Sequence, residues 1–279
     1  MTPELQIKIE RAVRLLQSVA PTDGSPVEVA YSGGKDSDVI LELTKMAGIP
    51  YRAIYKNTTV DVPGTLKHVK EMGAEVLMPK KNFFQLIEEA GFPNRFTRFC
   101  CGQLKEYKVL NKAIMGIRRS ESRKRAQRYT EPTECKFYGS KKNHVEAIYP
   151  ILDWTDDDIV EFVKERGLKL HPIYYREDGS IDPTQRVGCM CCPLATRHKR
   201  IDQFTKWPNM VKGYIRAGQK YRDNHPDTKQ AKRYANVYDY FVRDVFYDKQ
   251  TDWEQSRQGM FEPMDSKAFL EEKFNITLF

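Results

Sequence analysis

Two adjacent glycines between an apolar run and a helical pattern constrain this chain more than any other stretch. Val27, Val29 and Tyr31 belong to a short run that reads as a buried strand, and Val39, Ile40, Leu41 and Leu43 open an apolar helix face. Between them lies Ser32-Gly33-Gly34-Lys35-Asp36-Ser37. The glycines let the backbone turn sharply and bring amide N–H groups up to an anion with no side chain in the way. The helix that follows adds its dipole and unpaired N–H groups, so phosphate is the natural guest. Ser32 and Ser37 add hydroxyls, and Lys35 adds a point charge. The spacing is not that of a Walker loop, and there is no GxGxxG.

The cysteines carry the second signal. Five of the six fall in two clumps, Cys100-Cys101 and Cys189-Met190-Cys191-Cys192; Cys135 stands alone. Neighbouring cysteines cannot easily pair with each other, and clumped thiolates usually hold a soft metal. Cys189 and Cys192 form a CxxC, and with Cys100 and Cys101 the candidate ligands number four. The local pattern leaves zinc and iron–sulfur both open. Cys135 reads as an ordinary thiol.

Strand and helix patterns alternate. Beyond residues 27–31, strands are predicted at 51–55, 75–78 and 145–148, with helices at 4–19, 37–47, 63–72, 83–90 and 103–114. This alternation predicts a doubly wound, mostly parallel α/β sheet. Ligands bind at the carboxyl ends of strands in such a sheet, which places Asn57 and Thr58 beside the ligand. Thr155 followed by Asp156, Asp157 and Asp158 reads as a helix start. From Thr196 the pattern turns helical. Trp207, Tyr214, Tyr221, Tyr234, Tyr238, Tyr240, Phe241, Phe246, Tyr247 and Trp253 are interleaved with Lys and Arg there. That composition suits either nucleic-acid binding or, as the favoured reading, aromatics buried against the rest of the protein. The predicted organisation is residues 1–195 as a nucleotide-binding domain and 196–279 as a helical extension.

The net charge of +8 is concentrated: ten Lys/Arg stand against two Glu between Arg95 and Arg125. A positive cluster of this kind suits an anionic ligand or a nucleic acid. No apolar run approaches a membrane span, and the N-terminal residues do not read as a signal peptide, so a cytoplasmic location is expected.

SGGKDS resembles the pyrophosphate loop of the ATP-pyrophosphatase and phosphoadenylyl-sulfate reductase superfamily, whose fold is that of the adenine nucleotide alpha-hydrolases. The resemblance runs over roughly residues 25–195. Gly116 to Arg125 is similar to the family's G-x-R-x-x-E-S-x-x-R segment, and Tyr149 to Val160 to its P-[IL]-x-x-W-x-x-x-D-[IV]. A CC pair followed by CxxC is similar to the 4Fe–4S arrangement of adenylyl-sulfate reductases and implies Cys100, Cys101, Cys189 and Cys192 as ligands, with Cys191 a departure. The resemblance implies an adenine nucleotide, ATP or a relative, held by Ser32, Gly33, Gly34, Lys35, Asp36, Ser37, Asn57, Thr58, Arg118 and Ser122. Lys35, Asp36, Arg118, Arg119 and Arg125 are the expected catalytic group. Arginine forks suit phosphate or sulfate oxygens, and Glu121 would orient Arg118 or Arg125. Asp36 would either ligate Mg²⁺ or cap its helix.

Sulfonucleotide reductases carry a nucleophilic cysteine in a C-terminal Glu-Cys-Gly-x-His. Residues 193–279 contain no cysteine. The expectation is therefore ATP-dependent adenylation or sulfur transfer on DNA or tRNA, with a sulfur donor. Reduction of a sulfonucleotide, with a thioredoxin-like reductant, is one alternative. A non-catalytic nucleotide- or DNA-binding subunit is another.

Overall fold

The computed structural model describes residues 1–138, 140–246 and 265–279. By its internal contacts the chain divides into two compact units, each assembled from separate stretches. The first comprises residues 1–57, 61–79 and 105–188; the second, residues 58–60, 80–104 and 189–279. The expected boundary between residues 195 and 196 falls within the second unit.

The first unit is an α/β layer structure. Helix α1 (Pro3–Val19) starts where the Thr2 hydroxyl accepts from the Leu5 N–H, with proline at its first position. Its buried residues Leu5, Ile9, Ala12 and Leu16 recur every three or four positions, which defines one apolar face. Strands β1 (Val27–Tyr31), β2 (Tyr51–Lys56) and β3 (Glu75–Leu77) run parallel, as do β4 (Lys112–Ile114) and β6 (Ser140–Ile148). Strand β5 (Thr133–Tyr138) closes the edge antiparallel to β6. Among the described residues the order is β3-β2-β1-β4-β6-β5. Helices α2 (Lys35–Ala47) and α3 (Thr65–Glu71) join successive parallel strands, as crossover connections require.

The core of this unit combines the α1 face with Val27, Val29, Ile114 and Ile148 of the strands and Ile159 and Phe162 of α7 (Asp156–Glu165). Thr155 starts α7 in a capping box with Asp158.

Two readings need correction. The helix expected at 103–114 is instead α5 (Phe99–Leu104), a connection, and β4. A three-residue central strand, with Ala113 and Ile114 buried, shows no period of its own and imitates the end of an amphipathic helix. Strand β5 is not among the expected strands because its charged residues Glu134 and Lys136 take the less exposed positions while Cys135 and Phe137 are exposed, the reverse of an amphipathic strand.

The second unit is helical. Helix α4 (Phe83–Ala90) packs on α9 (Asn209–Asn224), with α8 (Arg197–Lys206), α10 (Lys229–Arg233), α11 (Val237–Phe241) and a last helix, Ser266–Phe274, around them. Its core holds Tyr214, Tyr221, Tyr234, Tyr240, Phe241 and Phe246. Most of the described tail aromatics therefore fill the core of the second unit itself. Tyr247 and Trp253 lie outside the described residues.

Candidate functional site

The loop after β1 is held in one shape by short-range bonds. Gly33 has φ 73°, a conformation that side-chain-bearing residues avoid. The Ser37 hydroxyl accepts from the Gly34 N–H at 3.0 Å and donates to the Gly34 carbonyl at 2.7 Å; Ser32 Oγ lies 3.2 Å from it. Lys35 is buried at the start of α2, with Nζ 3.3 Å from Asp36 Oδ2 and 5.7 Å from the Tyr174 ring centroid.

Tyr174 is the residue that sequence reasoning missed here. Its hydroxyl accepts from the Lys35 N–H at 3.2 Å and from the Val187 N–H at 3.3 Å. It thereby ties the helix start to a segment far along the chain. Burial pushes the Tyr174 phenol up to about 12, so it remains a neutral hydroxyl. A second buried network underlies the loop: Tyr31 donates to Asp38, and His68 Nε2 lies 3.1 Å from both Asp38 oxygens. Burial raises the Asp38 carboxyl, opposed chiefly by its bond with His68.

Asp36 is held from two sides. Arg118 Nε donates to Oδ1 at 2.7 Å, and Lys35 approaches Oδ2. The Arg118 guanidinium is 1% exposed; its other nitrogens reach Ser120, the Trp154 carbonyl and, at 2.7 Å, Asp156. Burial alone would lower its pKa, but Asp36 and Asp156 hold it above the ordinary value. Arg118 thus anchors Asp36 from below. Arg119 donates to the Tyr129 and Thr130 carbonyls and to Asp153. The Ser122 hydroxyl caps α6 (Arg123–Arg128), accepting from the Arg125 N–H.

A cavity of about 180 Å³ opens on the loop, lined by Ser32, Gly34, Asp36, Ser37, Tyr174 and, opposite, Arg125 and Arg186. Glu121 also lines it and bridges the two arginines, at 2.5 Å from Arg125 and 2.8 Å from Arg186. The expected Glu121 partner is therefore Arg125. Arg186, in the stretch leading to Cys189, is not among the predicted site residues. Guanidinium forks, glycine-loop amides and serine hydroxyls in one lining are groups whose chemistry suits an anion. Among the predicted residues, Gly33, Lys35, Arg118, Arg119, Ser122, Asn57 and Thr58 do not line this cavity. Asn57 directly follows β2, its amide 3.3 Å from Met78 Sδ. Thr58 belongs to the second unit.

All four candidate metal ligands lie in that second unit. Cys100 and Cys101 sit on α5, and the Cys189 thiol points to the Thr58 hydroxyl at 3.5 Å. Among the described residues no group of three or more His, Cys, Asp or Glu is disposed as a metal site. The thiols nevertheless converge. Hydrogen bonding with Cys101, then burial, then the charges of Cys101, Cys189 and Cys192 all push the Cys100 thiol up. Four thiols whose charges oppose one another are a donor set that a thiophilic cation would satisfy. The thiols suit such a group in chemistry. Cys191 stands apart. It is fully buried, adopts φ 55°, donates its N–H to Gln203 and has a thiol raised by burial. Cys135 is exposed on β5 of the first unit.

The first unit is a mostly parallel α/β sheet with a glycine loop after its first strand. The chain belongs to the phosphoadenosine phosphosulfate reductase domain family, which matches residues 26–195. An uncharacterised protein of Methanocaldococcus jannaschii is 26% identical over 234 residues, covering 74% of this chain and 54% of that one. The tRNA-cytidine(32) 2-sulfurtransferase of Pseudomonas putida is 32% identical over 115 residues, covering 36% of this chain and 42% of that one. The chain thus spans about half the length of these relatives. A U34-tRNA thiolase structure from Methanococcus maripaludis, with its 4Fe-4S cluster, aligns over 88% of this chain and 91% of that one, at 17% identity and TM-score 0.42. Among the described residues no helix is long and apolar enough to cross a membrane.

Proposed function

We propose that this protein is an ATP-dependent enzyme that adenylates a nucleic-acid acceptor and prepares it for sulfur transfer. The observation that carries the reading is the cavity in which Ser32, Gly34 and Ser37 face Arg125 and Arg186. The likeness to a tRNA sulfurtransferase supports the choice of acceptor.

In this reading the loop amides and Lys35 hold the ATP phosphates. Arg125 and Arg186 neutralise charge that develops as the α-phosphorus is attacked. An acceptor oxygen forms the new P–O bond, the bond to the β-phosphate breaks, and pyrophosphate leaves. Such chemistry is mostly positioning and charge stabilisation. Mg²⁺ commonly binds through one or two carboxylates plus substrate phosphates, and Asp36 offers that carboxylate. Arg118 is a positioning residue that fixes Asp36. Cys100, Cys101, Cys189 and Cys192 would hold an iron–sulfur cluster, with zinc the alternative; a cluster there would supply a soft site for sulfur. A sulfur donor then completes the transfer by displacing AMP.

Pyrophosphate release from ATP, measured with and without tRNA or DNA, tests the reading. Its absence under every condition would sink it. The family itself favours a second reading, sulfonucleotide reduction, for which the exposed Cys135 thiol is the available nucleophile and the buried Cys191 is a poor one. Sulfite release from a phosphosulfate nucleotide in the presence of thioredoxin separates the two.

A further inference from the structure

Three hydroxyls line the cavity of the first unit, those of Ser32, Ser37 and Tyr174, and their protons are not equally available. Ser37 gives its proton to the Gly34 carbonyl at 2.7 Å. Having spent it there, Ser37 meets Ser32 as the acceptor, at 3.2 Å. Both serine protons are thus used within the loop. Two backbone donors are used as well: the Gly34 N–H on Ser37 Oγ and the Lys35 N–H on the Tyr174 hydroxyl.

Tyr174 differs in kind from the serines. Its oxygen accepts twice from the backbone, from Lys35 at 3.2 Å and from Val187 at 3.3 Å. A phenol oxygen filled in this way has only its proton left to offer, so it acts as a donor alone. Among the described residues no acceptor takes that proton. Asp36, the carboxylate in the same lining as Tyr174, is met by Arg118 on one oxygen and Lys35 on the other. The Tyr174 side chain is 2% exposed, so the ring is held by packing and the hydroxyl by two amides. A Cβ on Gly34 would lie 3.2 Å from this hydroxyl and 3.4 Å from Ser32 Oγ, which shows how closely the phenol approaches the loop. Each N–H that donates to the oxygen also polarises the O–H and strengthens the bond it can give.

A fixed hydroxyl that can only donate is complementary to a ligand atom that can only accept. An ionised phosphoryl or sulfuryl oxygen is such an atom, whereas a ligand hydroxyl needs an acceptor for its own proton. We propose that Tyr174 is a ligand-binding residue of this cavity, whose phenol donates to an anionic oxygen of the bound nucleotide and passes on to it the polarity of the Lys35 and Val187 N–H groups. The proposal rests on the reading of the cavity as the nucleotide's anion site, and holds whether that nucleotide is ATP or a phosphosulfate nucleotide.

Two measurements on the full chain test it. In calorimetric titrations with ATP and with phosphoadenosine phosphosulfate, Tyr174→Phe weakens the nucleotide that the wild type binds by about ten- to a hundredfold, the loss of a hydrogen bond to a charged acceptor. In NMR of protein whose tyrosines carry carbon-13 at Cζ, saturating nucleotide moves one resonance downfield, as donation to an anion requires. That resonance is the one missing from Tyr174→Phe, and adenosine, which has no anionic oxygen, leaves it in place. A tyrosine that merely holds the loop would show no such shift. Among the described residues Tyr174 is the one tyrosine in the lining, so the wild-type spectrum decides alone if the variant does not fold. The proposal is overturned if Tyr174→Phe binds nucleotide as the wild type does, if no Cζ resonance moves downfield, or if the wild type binds neither nucleotide. Both effects without pyrophosphate release would leave Tyr174 standing and remove adenylation. Pyrophosphate release with unchanged affinity in Tyr174→Phe would do the reverse.

Discussion

Gly33→Ala tests the loop most directly. A Cβ at this position would lie 3.1 Å from Thr65 Cγ2 and 3.4 Å from Val69 Cγ2, on a backbone with φ 73°. The left-handed conformation costs an alanine about 1–2 kcal/mol. Pushing two buried methyl groups aside costs on the order of 1 kcal/mol more. Gly48→Ala is the matched control: its φ is 66°, and nothing lies within 4 Å of the added carbon. Both variants stiffen the unfolded chain equally, so that term cancels in the comparison. Gly33→Ala therefore melts below Gly48→Ala by about 2–4 °C, the shift that about 1 kcal/mol produces in a unit of this size. The second readout is ligand protection. ATP at a hundred times its Kd adds about 2.7 kcal/mol to the wild type, and the melting temperature rises accordingly. A loop displaced from Thr65 and Val69 presents its amides wrongly, so Gly33→Ala loses most of that rise while Gly48→Ala keeps it. Differential scanning calorimetry with and without Mg-ATP measures both quantities. A Gly33→Ala protein that melts with the control and keeps the full ATP rise would refute the reasoning.

Other residues give independent checks. Arg118→Ala leaves Asp36 and Asp156 facing an empty buried site and destabilises the protein by about 3–5 kcal/mol in chemical denaturation; an effect below 1 kcal/mol would mean the pairs are not formed. Tyr174→Phe strips the acceptor from the Lys35 and Val187 N–H groups and costs about 1–3 kcal/mol, measured in the same way, whereas a neutral result would show that water replaces the hydroxyl. Cys189→Ser and Cys100→Ser lose the brown colour and bound iron of anaerobically purified protein, while Cys135→Ser keeps both; a colourless wild type containing zinc would overturn the cluster. Asp158 has a folded-state pKa below its ordinary 3.8: burial would raise it, but bonds from Lys8 and Thr155 more than offset that. Its contribution is therefore fully present above the unfolded value and lost as pH falls through the lowered folded value. Asp158→Asn flattens the acid limb of the stability profile below roughly pH 5, and an unchanged limb would show that other carboxylates set it.

Contiguity decides how much of this was legible in the sequence. The strand, glycine turn and helix from Val27 to Ala47 write their whole geometry within one stretch, because the glycines, the hydroxyls and the apolar face are all local. The parallel order of β1, β2 and β3 follows from their crossover helices. Strand β4 was illegible because three residues between two neighbouring strands have no room to show a period. Strand β5 was illegible because its charged Glu134 and Lys136 are less exposed than Cys135 and Phe137, so its polarity runs against its exposure.

The site divides along the same line. Residue type announced that Arg118 and Arg125 bear on an anion, yet only packing separates their work. Arg118 is 1% exposed and saturated by Asp36 and Asp156, whereas Arg125 reaches the cavity and shares Glu121 with Arg186. Neither fact leaves a local signature, since Asp156 and Arg186 are far away in sequence. Tyr174 is harder still: a tyrosine among His171, Pro172 and Tyr175 looks like any core aromatic until its hydroxyl is found on the Lys35 amide. Thr58 shows the limit of the strand-end rule. Asn57 directly follows β2 in the first unit, but the next three residues belong to the second, where the Cys189 thiol points to the Thr58 hydroxyl. Thr58 is one of the points at which the chain enters the second unit, and a substitution there should disturb the Cys189 thiol before it disturbs the loop after β1.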